Sequence, residues 1–159
     1  MALNNPILDA TLNTISLEKI KADMGPPPWS HAVVLTDHVV GVVIHQNAGQ
    51  ENDNHCHSYD EWWVVLEGEI HWVIEGRDEP VQAKAGDFVY VPAQTFHHIF
   101  PKGGGPSVRL GIALPGQGHL HERPTAKGTR HDRRIAHNKK AGDRIACLFF
   151  LSRRTKARN

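Results

Sequence analysis

The chain has few cysteines, few aromatic residues and no long apolar run. Its 159 residues include only Cys56 and Cys147, and 7% of them are aromatic. A chain of this length can bury a core without disulfides, so we expect one domain in a reducing cytoplasm. The longest apolar run, residues 145–151, is too short to span a membrane, and the first ten residues lack the pattern of a signal peptide. We therefore expect no membrane partner.

Positive charge is concentrated at one end of the chain. The net charge is +1, but residues 122–159 contain twelve Lys or Arg and three acidic residues, which leaves −8 on residues 1–121. This basic end lacks the interleaved aromatics of a base-stacking surface and the spacing of helix-turn-helix or zinc-finger motifs. We expect residues 116–159 to be a solvated or subunit-contacting extension, without a specific nucleic-acid partner.

The middle of the chain has the pattern of an all-β domain. Residues 1–30 predict a peripheral arm, with a short helix that Ser16 caps and that ends near Lys21. Residues 31–115 consist of short runs rich in Val, Ile, Trp, Tyr and Phe, separated by turn-forming residues. No helical period interrupts these runs, which excludes a Rossmann-type nucleotide site and predicts a β-sandwich or barrel.

The segment 61–74 has the pattern of a hairpin around a two-residue Glu67-Gly68 turn. In that register Trp63 opposes Trp72, and directly opposed residues share a face. If Glu61 points inward, the cavity is a polar cluster with indole and aliphatic walls, as in small-molecule sites. The residues predicted to face inward with Glu61 are Trp63, Val65, Ile70, Trp72 and Ile74.

Histidine is abundant, with twelve residues, and imidazole is the commonest metal ligand. His55 and His57 share a strand face, and Glu61 follows four residues later, after a turn that can return it to the same interior. His97 and His98 both offer a further ligand, and spacing alone does not choose between them. Imidazoles with one carboxylate suit Fe(II), Mn, Ni, Co, Cu or Zn, and not calcium.

The sequence resembles the cupins over about residues 32–114. Its second cupin motif selects His97 over His98, although Gln94 and Pro101 stand where that motif has Gly and Asn. The resemblance implies a jelly-roll β-barrel, a homodimer, and one divalent transition metal per chain held by His55, His57, Glu61 and His97. The matching residues are Gly49, His55, His57, Glu61 and Gly68 in the first motif and Gly86, Pro92 and His97 in the second.

Three classes of function follow from the resemblance. The leading class is a dioxygenase, an oxidoreductase in which Fe(II) is favoured, the substrate is a small oxygen-containing organic molecule, and Glu61 is a ligand or a general base. The second is a redox-neutral isomerase, decarboxylase or lyase. Cupin dimethylsulfoniopropionate lyases have a catalytic tyrosine two residues after the glutamate, a position that Trp63 occupies here. The third is a non-catalytic metabolite-binding protein.

Three further side chains are candidates for the substrate pocket: Trp63, Trp72 and His45. Each also has a simpler interpretation, because large inward rings pack barrel cores and His45 can be structural or exposed. A second His-x-His pair, His119 and His121, has no carboxylate at matching spacing, so we expect it at the surface.

Overall fold

The computed structural model describes residues 6–9 and 11–123, so most of the basic extension lies outside the described residues. One helix and eight strands form within the described part. They are α1 (Leu17–Met24), β1 (Trp29–Leu35), β2 (Val40–Gln46), β3 (Glu61–Glu67), β4 (Glu69–Ile74), β5 (Val81–Lys84), β6 (Phe88–Val91), β7 (His97–Lys102) and β8 (Ser107–Ala113).

The strands form two antiparallel sheets. The five-stranded sheet has the order β1-β2-β8-β3-β6, and the three-stranded sheet has the order β5-β4-β7. Apolar side chains from both sheets pack in one core between them, which confirms the predicted all-β jelly-roll barrel. That core consists of Trp63, Val65, Ile70, Trp72, Ile74, Ala83, Val89, Val91 and Ile99.

The hairpin predicted at Glu67-Gly68 is wrong. β3 pairs with β6 and β8, whereas β4 pairs with β5 and β7, so the chain crosses from one sheet to the other at Gly68. Gly68 has φ 76°, and a Cβ there would lie 2.9 Å from the Pro106 carbonyl oxygen. Only glycine fits this close crossing. The face prediction is nevertheless correct, because Glu61 and the five residues expected beside it are all buried.

The N-terminal arm covers part of the outer face of the larger sheet. Ser16 caps α1 by accepting from the Lys19 amide, and the helix runs to Met24, further than the predicted Lys21. Ile20 of α1 packs with Trp29, Val43 and Val108 on this outer face. No helix among the described residues is long and apolar enough to cross a membrane.

Candidate metal centre

Four predicted side chains meet inside the barrel. Glu61 is the first residue of β3 and His97 is the first residue of β7, and His55 pairs with His97 in an isolated antiparallel bridge. The potential ligand atoms of His55, His57, Glu61 and His97 lie within 4.8 Å of one another, and all four residues are buried. The structure therefore brings together the four side chains that the sequence selected, whereas His98 lies on the opposite face of β7 and is half-buried.

Backbone carbonyls orient two of the three imidazoles. His55 Nδ1 lies 2.9 Å from the Asp53 carbonyl oxygen, and His97 Nδ1 lies 3.1 Å from the Thr95 carbonyl oxygen. A carbonyl oxygen only accepts, so Nδ1 carries the proton in the neutral ring and Nε2 keeps a lone pair. This is the usual arrangement of a metal-binding histidine.

The carboxylate of Glu61 carries the negative charge of the cluster. His57 Nε2 lies 2.9 Å and His97 Nε2 lies 3.4 Å from Glu61 Oε2. Burial alone would raise the pKa of the Glu61 carboxyl, but the two imidazoles outweigh it and hold the pKa at about 2. Glu61 is therefore ionised at neutral pH, as a ligand must be.

The polar atoms of the cluster fit a metal ion. His57 Nε2, His97 Nε2 and Glu61 Oε2 are buried, and none makes a well-formed hydrogen bond with the described residues. Buried polar atoms without partners are costly, and a shared cation would satisfy all three. Three nitrogen donors and one carboxylate oxygen suit a transition metal, so the cluster could bind one divalent ion.

Trp63 and Trp72 form an apolar wall beside the cluster. The Trp63 ring centroid lies 5.4 Å from that of His97 and 5.8 Å from that of Trp72. Trp72 is fully buried, and its Nε1 has no partner among the described residues. Trp63 therefore contacts a candidate ligand directly, whereas Trp72 packs behind it.

The prediction that His45 lines the pocket is corrected by the structure. His45 lies on the face of β2 opposite the barrel interior, with its ring 5.1 Å from that of Trp29. Alternation along β2 directs Ile44 and Gln46 inward and His45 outward, under the N-terminal arm. Burial lowers the pKa of His45, and the nearby Lys21 charge lowers it further.

His119 was predicted at the surface, but it lies beside the cluster. Its ring stacks parallel on that of His55 with centroids 3.6 Å apart, and its Nδ1 lies 3.4 Å from Asp53 Oδ2. Two backbone hydrogen bonds between Cys56 and Leu120, each 2.9 Å, hold the His119 segment there. His121, the other member of the pair, has an exposed side chain, as predicted.

His119 changes the electrostatics of His55. Burial, together with the nearby His119 and His97, lowers the pKa of His55 to about 3. His55 is therefore neutral at physiological pH, the form that binds metals. Asp53, His55 and His119 also form a second group of potential ligands, which shares His55 with the first.

Tyr59 is a second residue near the cluster that the sequence did not select. Its ring lies 4.9 Å from that of His57, and its hydroxyl is buried without a partner among the described residues. Burial raises the pKa of the Tyr59 hydroxyl, and the Glu61 charge adds to this effect. The hydroxyl therefore keeps its proton at neutral pH.

Gln94, one departure from the second motif, adopts the left-handed backbone that glycine favours, with φ 63°. Its amide donates to the His57 carbonyl oxygen at 2.7 Å, and its carbonyl oxygen accepts from Arg123 Nε at 3.3 Å. The turn before His97 therefore keeps its shape without the glycine. Pro101, the other departure, lies in β7 and pairs with Ile70.

Solved structures show what the barrel is similar to. A cupin-2 domain containing protein from Shewanella frigidimarina is 18% identical, with a TM-score of 0.53 over 63% of this chain and 94% of that chain. An RmlC-like cupin family protein from Methanocaldococcus jannaschii is 22% identical, with a TM-score of 0.52 over 57% and 83%. A conserved protein with a double-stranded β-helix domain from Klebsiella pneumoniae is 26% identical, with a TM-score of 0.51 over 60% and 85%.

Sequence comparison relates the barrel to one family of domains. No curated protein matches the chain, but residues 42–112 match the model of the cupin domain family. This span includes all four residues of the cluster, strands β3 to β7 and most of β2 and β8. The barrel of this chain therefore matches the cupin domain family over residues 42–112.

Proposed function

We propose that this protein is a metal-dependent dioxygenase that acts on a small oxygen-containing organic substrate. The observation that supports it most is the buried cluster of three imidazoles and one carboxylate, which leaves up to two positions of an octahedral ion for substrate and dioxygen. Fe(II) is the favoured ion among those that suit these ligands. When bound, Fe(II) supplies the electrons and the Lewis acidity that dioxygen and the substrate oxygen require.

The side chains of this protein have separate tasks in that reaction. His55, His57, Glu61 and His97 would hold the ion, and the Trp63 ring beside His97 limits the access of water and offers an apolar surface to the substrate. Glu61 could also act as a general base once it leaves the ion and the two imidazoles, because burial by itself raises the pKa of its carboxyl. We expect this chemistry in the cytoplasm, where the cysteines stay reduced.

Oxygen consumption tests this proposal. The Fe(II)-loaded full chain is mixed with catechols, diketones and flavonols in an oxygen electrode cell, and we expect uptake with at least one class. His97→Ala should abolish the uptake, and His98→Ala should retain it. Turnover at the same rate with and without oxygen would contradict a dioxygenase, and binding without turnover would favour a metabolite-binding protein.

A redox-neutral isomerase, decarboxylase or lyase is the second candidate, and Tyr59 is the observation that favours it. A protonated, buried hydroxyl near His57 can donate a proton to a substrate without any oxidant. Tyr59→Phe separates the two candidates. It should lower turnover strongly in an oxygen-independent reaction, and it should leave oxygen uptake within a few-fold of the wild type if the protein is a dioxygenase.

A further inference from the structure

An arginine that has no acidic partner among the described residues is buried inside the barrel. Arg109 of β8 lies opposite Ile44 of β2 and Val65 of β3, two residues of the interior face, and it is fully buried. Its Nη1 donates to Gln46 Oε1 at 2.7 Å, and its Nε has no hydrogen-bond partner among the described residues. A buried cation that contacts only a neutral amide is costly for a protein to keep.

Arg109 is nevertheless charged at neutral pH. Burial lowers the pKa of its guanidinium to about 10, and the negative charge of Glu61 opposes this effect. Glu61 acts from a distance, since no carboxylate oxygen of the described residues forms an ion pair with Arg109. Because Glu61 also belongs to the metal cluster, it is not a dedicated partner for the arginine.

Neighbouring amides hold the guanidinium in place. Gln46 Nε2 donates to the Gln50 carbonyl oxygen at 3.2 Å and to Asn52 Oδ1 at 3.0 Å, so its own oxygen is directed toward Arg109. A guanidinium has five N–H donors in a fixed plane, and a carboxylate accepts two of them at once. The Nε–H of Arg109 remains available for such a pair.

The charges of the interior favour an anion. A divalent ion bound by three neutral imidazoles and one carboxylate leaves the cluster with a net charge of +1, and Arg109 adds another positive charge inside the same barrel. Gly111, the next residue of β8 on the inner face, lies opposite Trp63 and carries no side chain. The positive charges of the metal-bound cluster and of Arg109 would therefore both attract an organic anion.

We propose that the substrate of the metal centre is a carboxylate, and that Arg109 pairs with its carboxylate group inside the barrel while the oxygen function of the same molecule reaches the metal. This inference rests on the proposed function and names its substrate class. It follows from the position of Arg109 and from the network that orients it, and it requires no change of protonation.

Matched acids and amides test the inference apart from the metal. We would titrate the full chain, after metal removal with a chelator, with acetate, acetamide, benzoate and benzamide at pH 7.5 in a calorimeter. At least one acid should bind about 10-fold more tightly than its amide, as a charge-assisted pair predicts. Equal binding of both members of each pair would overturn the inference.

Variants then assign the preference to Arg109. Arg109→Met should abolish it, and Arg109→Lys, which keeps the charge but not the planar fork, should weaken it. Arg123→Met is the matched control, because Arg123 is an exposed arginine paired with Glu75, and it should bind as the wild type does. If Arg109→Met does not fold, an unchanged preference in Arg109→Lys would still overturn the inference.

Oxygen uptake with catechol and 3,4-dihydroxybenzoate separates this inference from the proposed function. If 3,4-dihydroxybenzoate supports oxygen uptake at a lower concentration than catechol does, and Arg109→Met loses this difference, both the dioxygenase and the role of Arg109 are supported. Equal uptake with both compounds would keep the dioxygenase and overturn the role of Arg109. An acid preference in calorimetry without any oxygen uptake would keep Arg109 as an anion site and overturn the dioxygenase.

Discussion

The inner and outer faces of the same strands differ in chemistry more than their residue types suggest. His97 of β7 belongs to the metal cluster, while the next residue, His98, stacks on Phe100 outside. Trp63 of β3 contacts His97, while Trp62 is 40% exposed. In each pair two identical side chains are neighbours in sequence. Strand alternation, and not residue type, therefore decides which of them takes part in the site.

Burial gives the inner histidines their chemistry. Within the barrel an imidazolium would lose its hydration, so burial holds the pKa of His55 at about 3 and keeps the ring neutral. A neutral ring with its Nδ1 proton directed to a backbone carbonyl can offer Nε2 to a metal.

Substitution of His97, but not of its neighbour His98, should have the largest effect on metal binding. His97→Ala removes a ligand from the cluster, and we expect more than about 100-fold weaker binding of Fe(II) or Zn(II), above the cost of losing a residue that only supports a ligand. His98→Ala should bind metal as the wild type does. Metal content after dialysis against a graded chelator measures both, and equal retention in the two variants would contradict the cluster.

Acidification should destabilise the metal-free protein through its inner face. The unfolded chain binds a proton at His55 below about pH 6.5 and at Glu61 below about pH 4.5, whereas the folded chain binds them only near pH 3 and pH 2. Both pKa values are lower in the folded state, so the stability is complete above pH 6.5 and falls as the pH decreases. We expect a loss of about 3 kcal/mol by pH 4.5, since each of the two pH units below 6.5 is worth about 1.4 kcal/mol at His55.

Urea unfolding between pH 7.5 and pH 4.5 measures this loss. His55→Gln removes the most strongly shifted ring and should reduce the dependence above pH 4.5, while His98→Gln, on the outer face of β7, should keep it. A wild-type free energy of unfolding that stays constant over this range would contradict the neutral, desolvated His55.

The sequence predicts the parts of the site that depend only on the alternation of side chains along a strand. His55 and His57 share a face in any extended strand, and the inward set from Glu61 to Ile74 is correct although the hairpin is not. The inward positions change from odd numbers in β3 to even numbers in β4, and the change is the same whether the chain turns back at Gly68 or crosses to the other sheet. The choice of His97 over His98 needed the family motif, because both lie in one strand.

The remaining features depend on long-range packing that alternation does not encode. His119 reaches the cluster because Leu120 pairs with Cys56, a contact between distant parts of the chain. In β8, the apolar residues Val108 and Leu110 suggest a core face and Arg109 a solvent face. The arm packs on Val108 and Leu110 instead, so the opposite face is the barrel interior and Arg109 is buried there. His45 is placed outward for the same reason.

Substitution of His119 should weaken metal binding less than substitution of a ligand does. His119 stacks on His55 and contacts Asp53, whose carbonyl oxygen orients the His55 ring. We expect His119→Ala to release metal to a chelator about 10-fold faster, in the range of other supporting residues. His121→Ala, with an exposed side chain, is the control and should release it at the wild-type rate. Identical rates in the two variants would show that His119 does not protect the cluster.

A substitution among the exposed apolar residues of the outer face should change the assembly of the protein and leave the metal site unchanged. The arm covers the outer side near β1 and β2, but Trp62 faces Tyr90 across the β3–β6 pair and Phe88 is 74% exposed. Exposed apolar clusters of this kind often form contacts between proteins, so we place the expected homodimer here. Phe88→Glu should give a monomer in sedimentation velocity and retain its metal, while Leu12→Glu, an exposed apolar residue of the arm, should stay dimeric. If Phe88→Glu remains dimeric, the dimer contact lies on another surface. If the wild type is monomeric, the expected homodimer does not exist.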